Sequence, residues 1–174
     1  MAEIIFGYKC SPVFIHCGVS EEFYFNVYSK GTVRYKTNII GSNFSESKVI
    51  ESKKIIIPMS VVEDLKKILI EQKNLIDKLP KNIDNLSDDG AYHDFNFLGK
   101  KISCLNISQH DLDENSEAKI LLSENSHFYS SLKKTIMEQE NNVLKIFESV
   151  YNILKNYGLK VYSWKYFCCD WEME

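Results

Sequence analysis

The run Asp88-Asp89-Gly90-Ala91-Tyr92-His93-Asp94-Phe95-Asn96-Phe97-Leu98-Gly99-Lys100-Lys101-Ile102 constrains the fold more than any other stretch of this chain. Successive side chains of a strand point to opposite faces. His93, Phe95 and Phe97 therefore share one face, while Tyr92, Asp94 and Asn96 share the other. A polar turn at Asp88-Asp89-Gly90 leads into the strand. The chain then folds back at Gly99-Lys100 and resumes from Lys101 to Ile107 as the second arm of a hairpin. A hairpin with one apolar face needs a sheet and a cover to bury that face, which points to layered α+β architecture.

An earlier hairpin carries the same pattern. Phe23, Phe25 and Val27 alternate with Tyr24, Asn26 and Tyr28. After Ser29-Lys30-Gly31 the pattern returns, with Val33, Tyr35 and Thr37 opposite Arg34 and Lys36. Gly31, lacking a Cβ, supplies the positive φ that a short hairpin loop needs. Ile4 to Cys10 and Val13 to Cys17 read as flanking strands, and Lys53 to Ile57 as a short strand ending at Pro58. Gly41 to Ser52 is polar and serine-rich and reads as a surface loop.

Two helical stripes complete the pattern. Ser60-Val61-Val62-Glu63 fits a capping box, followed by Leu65, Ile68, Leu69, Leu75, Ile76 and Leu79 at helical spacing until Pro80 stops the run. Phe128, Leu132, Ile136, Val143, Phe147, Val150, Leu154 and Tyr157 trace one face of a helix predicted over 126–157. Gly158 stands where a helix C-terminal glycine belongs, and Leu159 to Trp164 reads as a last strand. With 174 residues, the chain suits one domain over 1–174. The expected fold is α+β: a mainly antiparallel sheet built from two hairpins and flanking strands, with two long helices packed on one face.

Charge and cysteine content narrow the function. A net charge of -3 provides no general pull toward nucleic acid or an anionic membrane. No apolar run is long enough to span a bilayer, and the first residues do not resemble a secretory signal. Five cysteines, Cys10, Cys17, Cys104, Cys168 and Cys169, follow no disulfide rhythm, so reduced thiols in a cytoplasmic protein are expected. Cys10, His16 and Cys17, with Cys168-Cys169, lack the paired spacing of a structural zinc site. No metal or cofactor is expected.

Three clusters carry candidate chemistry. Asp89, His93 and Asp94 are the only set worth testing as a small hydrolase centre, although the alternation separates His93 from Asp94. Tyr24, Tyr28, Arg34, Tyr35 and Lys36 bring aromatic and cationic groups to the Tyr24–Lys36 hairpin, the chemistry of a sheet that stacks RNA bases. Between Ser108 and His127, Asp111, Asp113, Glu114, Glu117 and Glu124 face one lysine, Lys119, forming an acidic run that suits docking on a basic cleft. Asp111, Asp113, Glu114, Glu117, Tyr24 and Tyr28 are the candidate partner-binding residues.

The runs Phe23-Tyr24-Phe25-Asn26-Val27-Tyr28 with Gly31-Thr32-Val33, Asp89-Gly90 with His93-Asp94-Phe95-Asn96-Phe97, and Asn142-Val143-Leu144-Lys145-Ile146-Phe147 resemble those of small bacterial immunity proteins of polymorphic, contact-dependent toxin systems. The resemblance implies a non-enzymatic cytoplasmic inhibitor that neutralises one cognate toxin by occluding its active cleft. It carries over no binding residues.

Overall fold

The computed structural model describes residues 2–12, 19–41, 47–83, 91–107 and 127–159. Among the described residues seven strands form one sheet: β1 (Ile4–Pro12), β2 (Val19–Tyr28), β3 (Thr32–Gly41), β4 (Ser47–Ile56), β5 (Asn82–Ile83), β6 (Ala91–Phe97) and β7 (Lys100–Leu105). Their order is β4-β3-β2-β1-β6-β7-β5. Every pairing is antiparallel except β5 with β7. Three helices are seen among the described residues: α1 (Met59–Glu71), α2 (Lys73–Lys78) and α3 (His127–Asn156).

The alternation predicted for both hairpins is what the sheet uses. Phe23, Phe25 and Val27 are buried, as are His93, Phe95 and Phe97. The first turn places Gly31 at φ 76°, as its position requires. Its carbonyl accepts a hydrogen bond from the Ile57 N–H at 2.8 Å, tying the end of β4 to the hairpin tip. The second turn falls one residue earlier than expected. Leu98 and Gly99 both have positive φ, at 51° and 90°, the pattern of the two-residue turn whose twist matches the flanking strands. Lys100 already belongs to β7.

Phe6, Tyr8, Phe95 and Phe97 form the aromatic floor of the core. Phe147 of α3 lies on that floor, its ring centroid 5.9 Å from Phe6, 5.2 Å from Tyr8 and 5.6 Å from Phe95. Val61, Val62, Leu65 and Leu69 of α1 and Ile76 of α2 join the same buried cluster. Losing one such ring typically costs about 3–5 kcal/mol, so this contact is a main tie between the long helix and the sheet.

Four expectations are corrected. The second half of the expected loop at 41–52 is strand: β4 runs from Ser47 and pairs with β3 along its length, with a register shift between Thr37 and Asn38. A mixed sequence with Val49 and Ile50 exposed suffices there because an edge strand is held by its ladder and leaves much of its surface in water. The capping box does not form. Pro58 is the N-cap, no side chain caps the helix, and the Val61 and Val62 N–H groups donate to the Pro58 carbonyl. The fixed φ of proline starts the helix two residues early and leaves Ser60 inside its first turn. The stripe from Ser60 to Leu79 is not one helix, because the backbone breaks at Gln72, where α2 restarts. Leu132 of α3 and Tyr157, just past its end, are exposed at 43% and 45%, while Met137, Leu144 and Ile146 are buried, so the buried face is wider than the stripe and ends short of it. Gly158, at φ 84°, ends α3 as predicted. Val13 to Cys17 and Leu159 to Trp164, expected as strands, lie wholly or almost wholly outside the described residues.

Candidate binding face of the sheet

The helices cover one side of the sheet. The other side is built by residues of opposite parity. Gly7 pairs with Asn26 and Asn96, Lys9 with Tyr24 and Asp94, Tyr24 with Lys36, Asn26 with Arg34, and Arg34 with Lys54. Residues directly opposite in a ladder share a face, so these side chains form one continuous outer surface. Antiparallel sheets tolerate this because one face can remain in water.

Gly7 lies at the middle of that surface. A Cβ there would come within 2.7 Å of Asn26 Oδ1 and 3.2 Å of Asn96 Cβ, so the glycine lets the two asparagines close over it. On one side a groove of about 500 Å³ is lined by Lys9, Lys81, Asp94 and Lys101. On the other, a groove of about 510 Å³ is lined by Tyr28, Arg34, Lys36, Ser52 and Lys54. Tyr24 and Asn26 border both.

One end of the face is pinned by a carboxylate that sequence reading did not single out. Glu22 is only 8% exposed. It receives hydrogen bonds from Ser11 Oγ at 3.0 Å, Asn38 Nδ2 at 3.2 Å and the Tyr24 hydroxyl, and pairs with Lys9 Nζ at 2.9 Å. Burial alone would push the Glu22 carboxyl up, but the hydrogen bonds from Tyr24, Lys9, Ser11 and Asn38 prevail and hold it below its ordinary value. Burial works to lower the Lys9 ammonium, yet its bond to Glu22 and the carboxylate charge keep it above its ordinary value. Burial, then the bond to Glu22, pushes the Tyr24 hydroxyl up. Asn38 Oδ1 is buried without a hydrogen-bond partner among the described residues.

Tyr24 and Tyr28 are half-buried, and a cation lies over each ring. Lys9 Nζ stands 5.2 Å from the Tyr24 centroid, and the Arg34 guanidinium 5.7 Å from that of Tyr28. Tyr35 leaves this set: the register puts it opposite Phe25, on the inner side, where it packs against the core.

The Asp89, His93 and Asp94 set is not assembled. His93 is 1% exposed, between Cys10 and Cys104 in register, and its Nδ1 shares a 2.8 Å hydrogen bond with the Tyr8 hydroxyl. It is fully buried, and burial pushes its imidazole down to about 4. Asp94 points to the other face, and Asp89 lies outside the described residues. Asp111, Asp113, Glu114, Glu117 and Glu124, like His16, Cys17, Cys168 and Cys169, also lie outside them. Cys10 and Cys104 are buried. Among the described residues no group of three or more His, Cys, Asp or Glu side chains is placed to hold a metal ion. No helix of the described residues is long and apolar enough to cross a membrane.

Only the pairing of strands distant in sequence reveals the Glu22 cluster. Ser11, Glu22 and Asn38 come from three strands, and the sole local signal is a lone carboxylate beside the alternating aromatics of β2. The chain matches no protein-family model, and a search of curated proteins finds no relative.

Proposed function

We propose that this protein is a cytoplasmic binding protein rather than an enzyme, an immunity-type inhibitor that neutralises a partner protein by laying the outer face of its sheet across the partner's active cleft. The observation that carries this reading is the face itself. Side chains from β1, β2, β3 and β4 meet on a side that no described helix covers, with two tyrosines held beneath cations and a buried carboxylate network fixing one end. Tyrosine and arginine held in place on a rigid sheet are the residues that most often anchor protein interfaces. The hydrolase alternative is left with a histidine that is buried and faces away from Asp94.

The test is co-purification with the product of the neighbouring gene. A stable complex is expected, and Tyr24→Ala with Tyr28→Ala should weaken it at least about tenfold, as the loss of interface anchors does. Replacing Asp111, Asp113, Glu114 and Glu117 by their amides measures the share of the acidic run in the same complex. Absence of any complex with the neighbouring product, alongside a measurable turnover, would sink the reading.

A further inference from the structure

We infer that the partner surface received by this face is acidic, and that its principal carboxylate lodges beside Tyr28 between Arg34, Lys36 and Lys54; this rests on the binding reading above. The charge balance of the face is opposite to that of the whole chain. Lys9, Arg34, Lys36, Lys54, Lys81 and Lys101 border it, against Glu22 and Asp94. The chain as a whole carries -3. The sheet face that no described helix covers is therefore complementary to anions, although the chain as a whole is acidic.

The cations around Tyr28 are also poised. Lys9 is matched by Glu22, but Arg34, Lys36 and Lys54 have no ion-pair partner among the described residues. Arg34 and Lys54 stand directly opposite each other in the β3–β4 ladder, where like charges repel. A carboxylate placed between them turns that repulsion into attraction. The Arg34 guanidinium lies 5.7 Å from the Tyr28 ring centroid, and its planar fork of N–H donors suits a paired bond to a carboxylate. Ile56, 65% exposed and paired with Thr32 on the same face, adds an apolar contact at the margin.

Nucleic acid fits this face less well. Base stacking needs bare ring faces along an unbroken cationic path. Here each tyrosine already carries a cation over its ring, the Tyr24 hydroxyl is bound to Glu22, and Asp94 interrupts the cations between Lys9 and Lys101.

Fluorescence anisotropy of the intact protein with three labelled probes, a glutamate-rich peptide, a lysine-rich peptide of equal length and oligo-uridine, tests the inference. The glutamate-rich peptide should bind best and weaken at least about tenfold on going from low to high salt. Arg34→Glu with Lys54→Glu should abolish that binding. Lys67→Glu with Lys133→Glu, the same charge change on the helices, should leave it within about twofold of wild type. Tighter binding of oligo-uridine, lost in the Arg34→Glu and Lys54→Glu variant, would overturn the inference in favour of nucleic acid. Failure of the glutamate-rich peptide to bind, or equal loss in the helix control, would overturn it too. A complex with the neighbouring gene product that survives Arg34→Glu and Lys54→Glu at unchanged affinity would overturn the acidic-partner inference while leaving the proposed function intact.

Discussion

The Tyr8 hydroxyl and Nδ1 of His93 share a 2.8 Å hydrogen bond inside the core, linking β1 to β6 at the end of the aromatic floor. The pair explains how a histidine can sit among phenylalanines. Its Nδ1 has a hydrogen-bond partner, and the ring stays neutral because burial holds it at about 4.

That depression makes stability depend on pH in a defined window. The unfolded chain takes up a proton near pH 6.5, whereas the folded one resists until about 4. Stability from neutral His93 is therefore full above 6.5 and is lost as pH falls toward 4, by about 3 kcal/mol in all. Urea melts from pH 7 to pH 4 should show a steeper loss in wild type than in His93→Phe. Parallel curves would mean that His93 is not the titrating group. His93→Ala, which leaves a cavity and removes the hydrogen bond to the Tyr8 hydroxyl, should cost about 2–4 kcal/mol at pH 7.

Gly31→Ala should be among the most damaging single changes in the hairpins. A Cβ at this position would lie 2.6 Å from the Ile57 carbonyl oxygen, and the backbone is at φ 76°. Because the clash is with backbone, no rotamer change relieves it. A loss of about 2–3 kcal/mol is expected in denaturant melts. The same substitution at Gly99, which would meet nothing within 4 Å, should cost about 1 kcal/mol from its positive φ alone.

Glu22→Gln removes the charge that Lys9, Tyr24, Ser11 and Asn38 converge on, leaving the Lys9 ammonium half-buried without its counter-ion. A loss of about 1–3 kcal/mol at neutral pH is expected. Since the Glu22 carboxyl is held below its ordinary value, its contribution is present above the usual carboxylate range and lost as pH falls through the folded value. The gap between wild type and Glu22→Gln should therefore narrow in acid. A constant gap would assign the network to packing rather than charge.

Cys10 and Cys104 should resist a thiol reagent in the native protein. Both are buried, and burial, reinforced by Glu140 and Asp94, pushes the Cys104 thiol up, so little thiolate forms. In a variant carrying Cys17→Ser, Cys168→Ser and Cys169→Ser, reaction with a disulfide reagent should appear only as urea unfolds the chain. Rapid native labelling would contradict the buried placement.

Much of the local structure could be read from order along the chain. The alternation of Phe23 to Tyr28 and of Tyr92 to Phe97 sorted each strand into an inner and an outer side, and Gly31 and Gly158 marked a turn and a helix end. These succeed because period and positive φ are properties of a few consecutive residues. The limits of that logic show at 47–52, the first half of β4, whose serines, lysine and glutamate have no strand preference of their own and are held by the ladder to β3, whereas the half from Lys53 was legible.

Alternation along each strand settles which side chains can share a face: His93 with the phenylalanines and Asp94 away from it, Tyr24 with Tyr28, Arg34 with Lys36. Tertiary structure alone decided which faces meet. It set β1 between β2 and β6, so that Lys9 and Ser11 reach Glu22 and Tyr8 reaches His93, and it set β4 beside β3, so that Lys54 confronts Arg34. The reason is physical. Alternation follows from the geometry of one strand, but the choice of neighbouring strand depends on contacts between residues tens of positions apart, whose energy exists only once the chain has closed on itself.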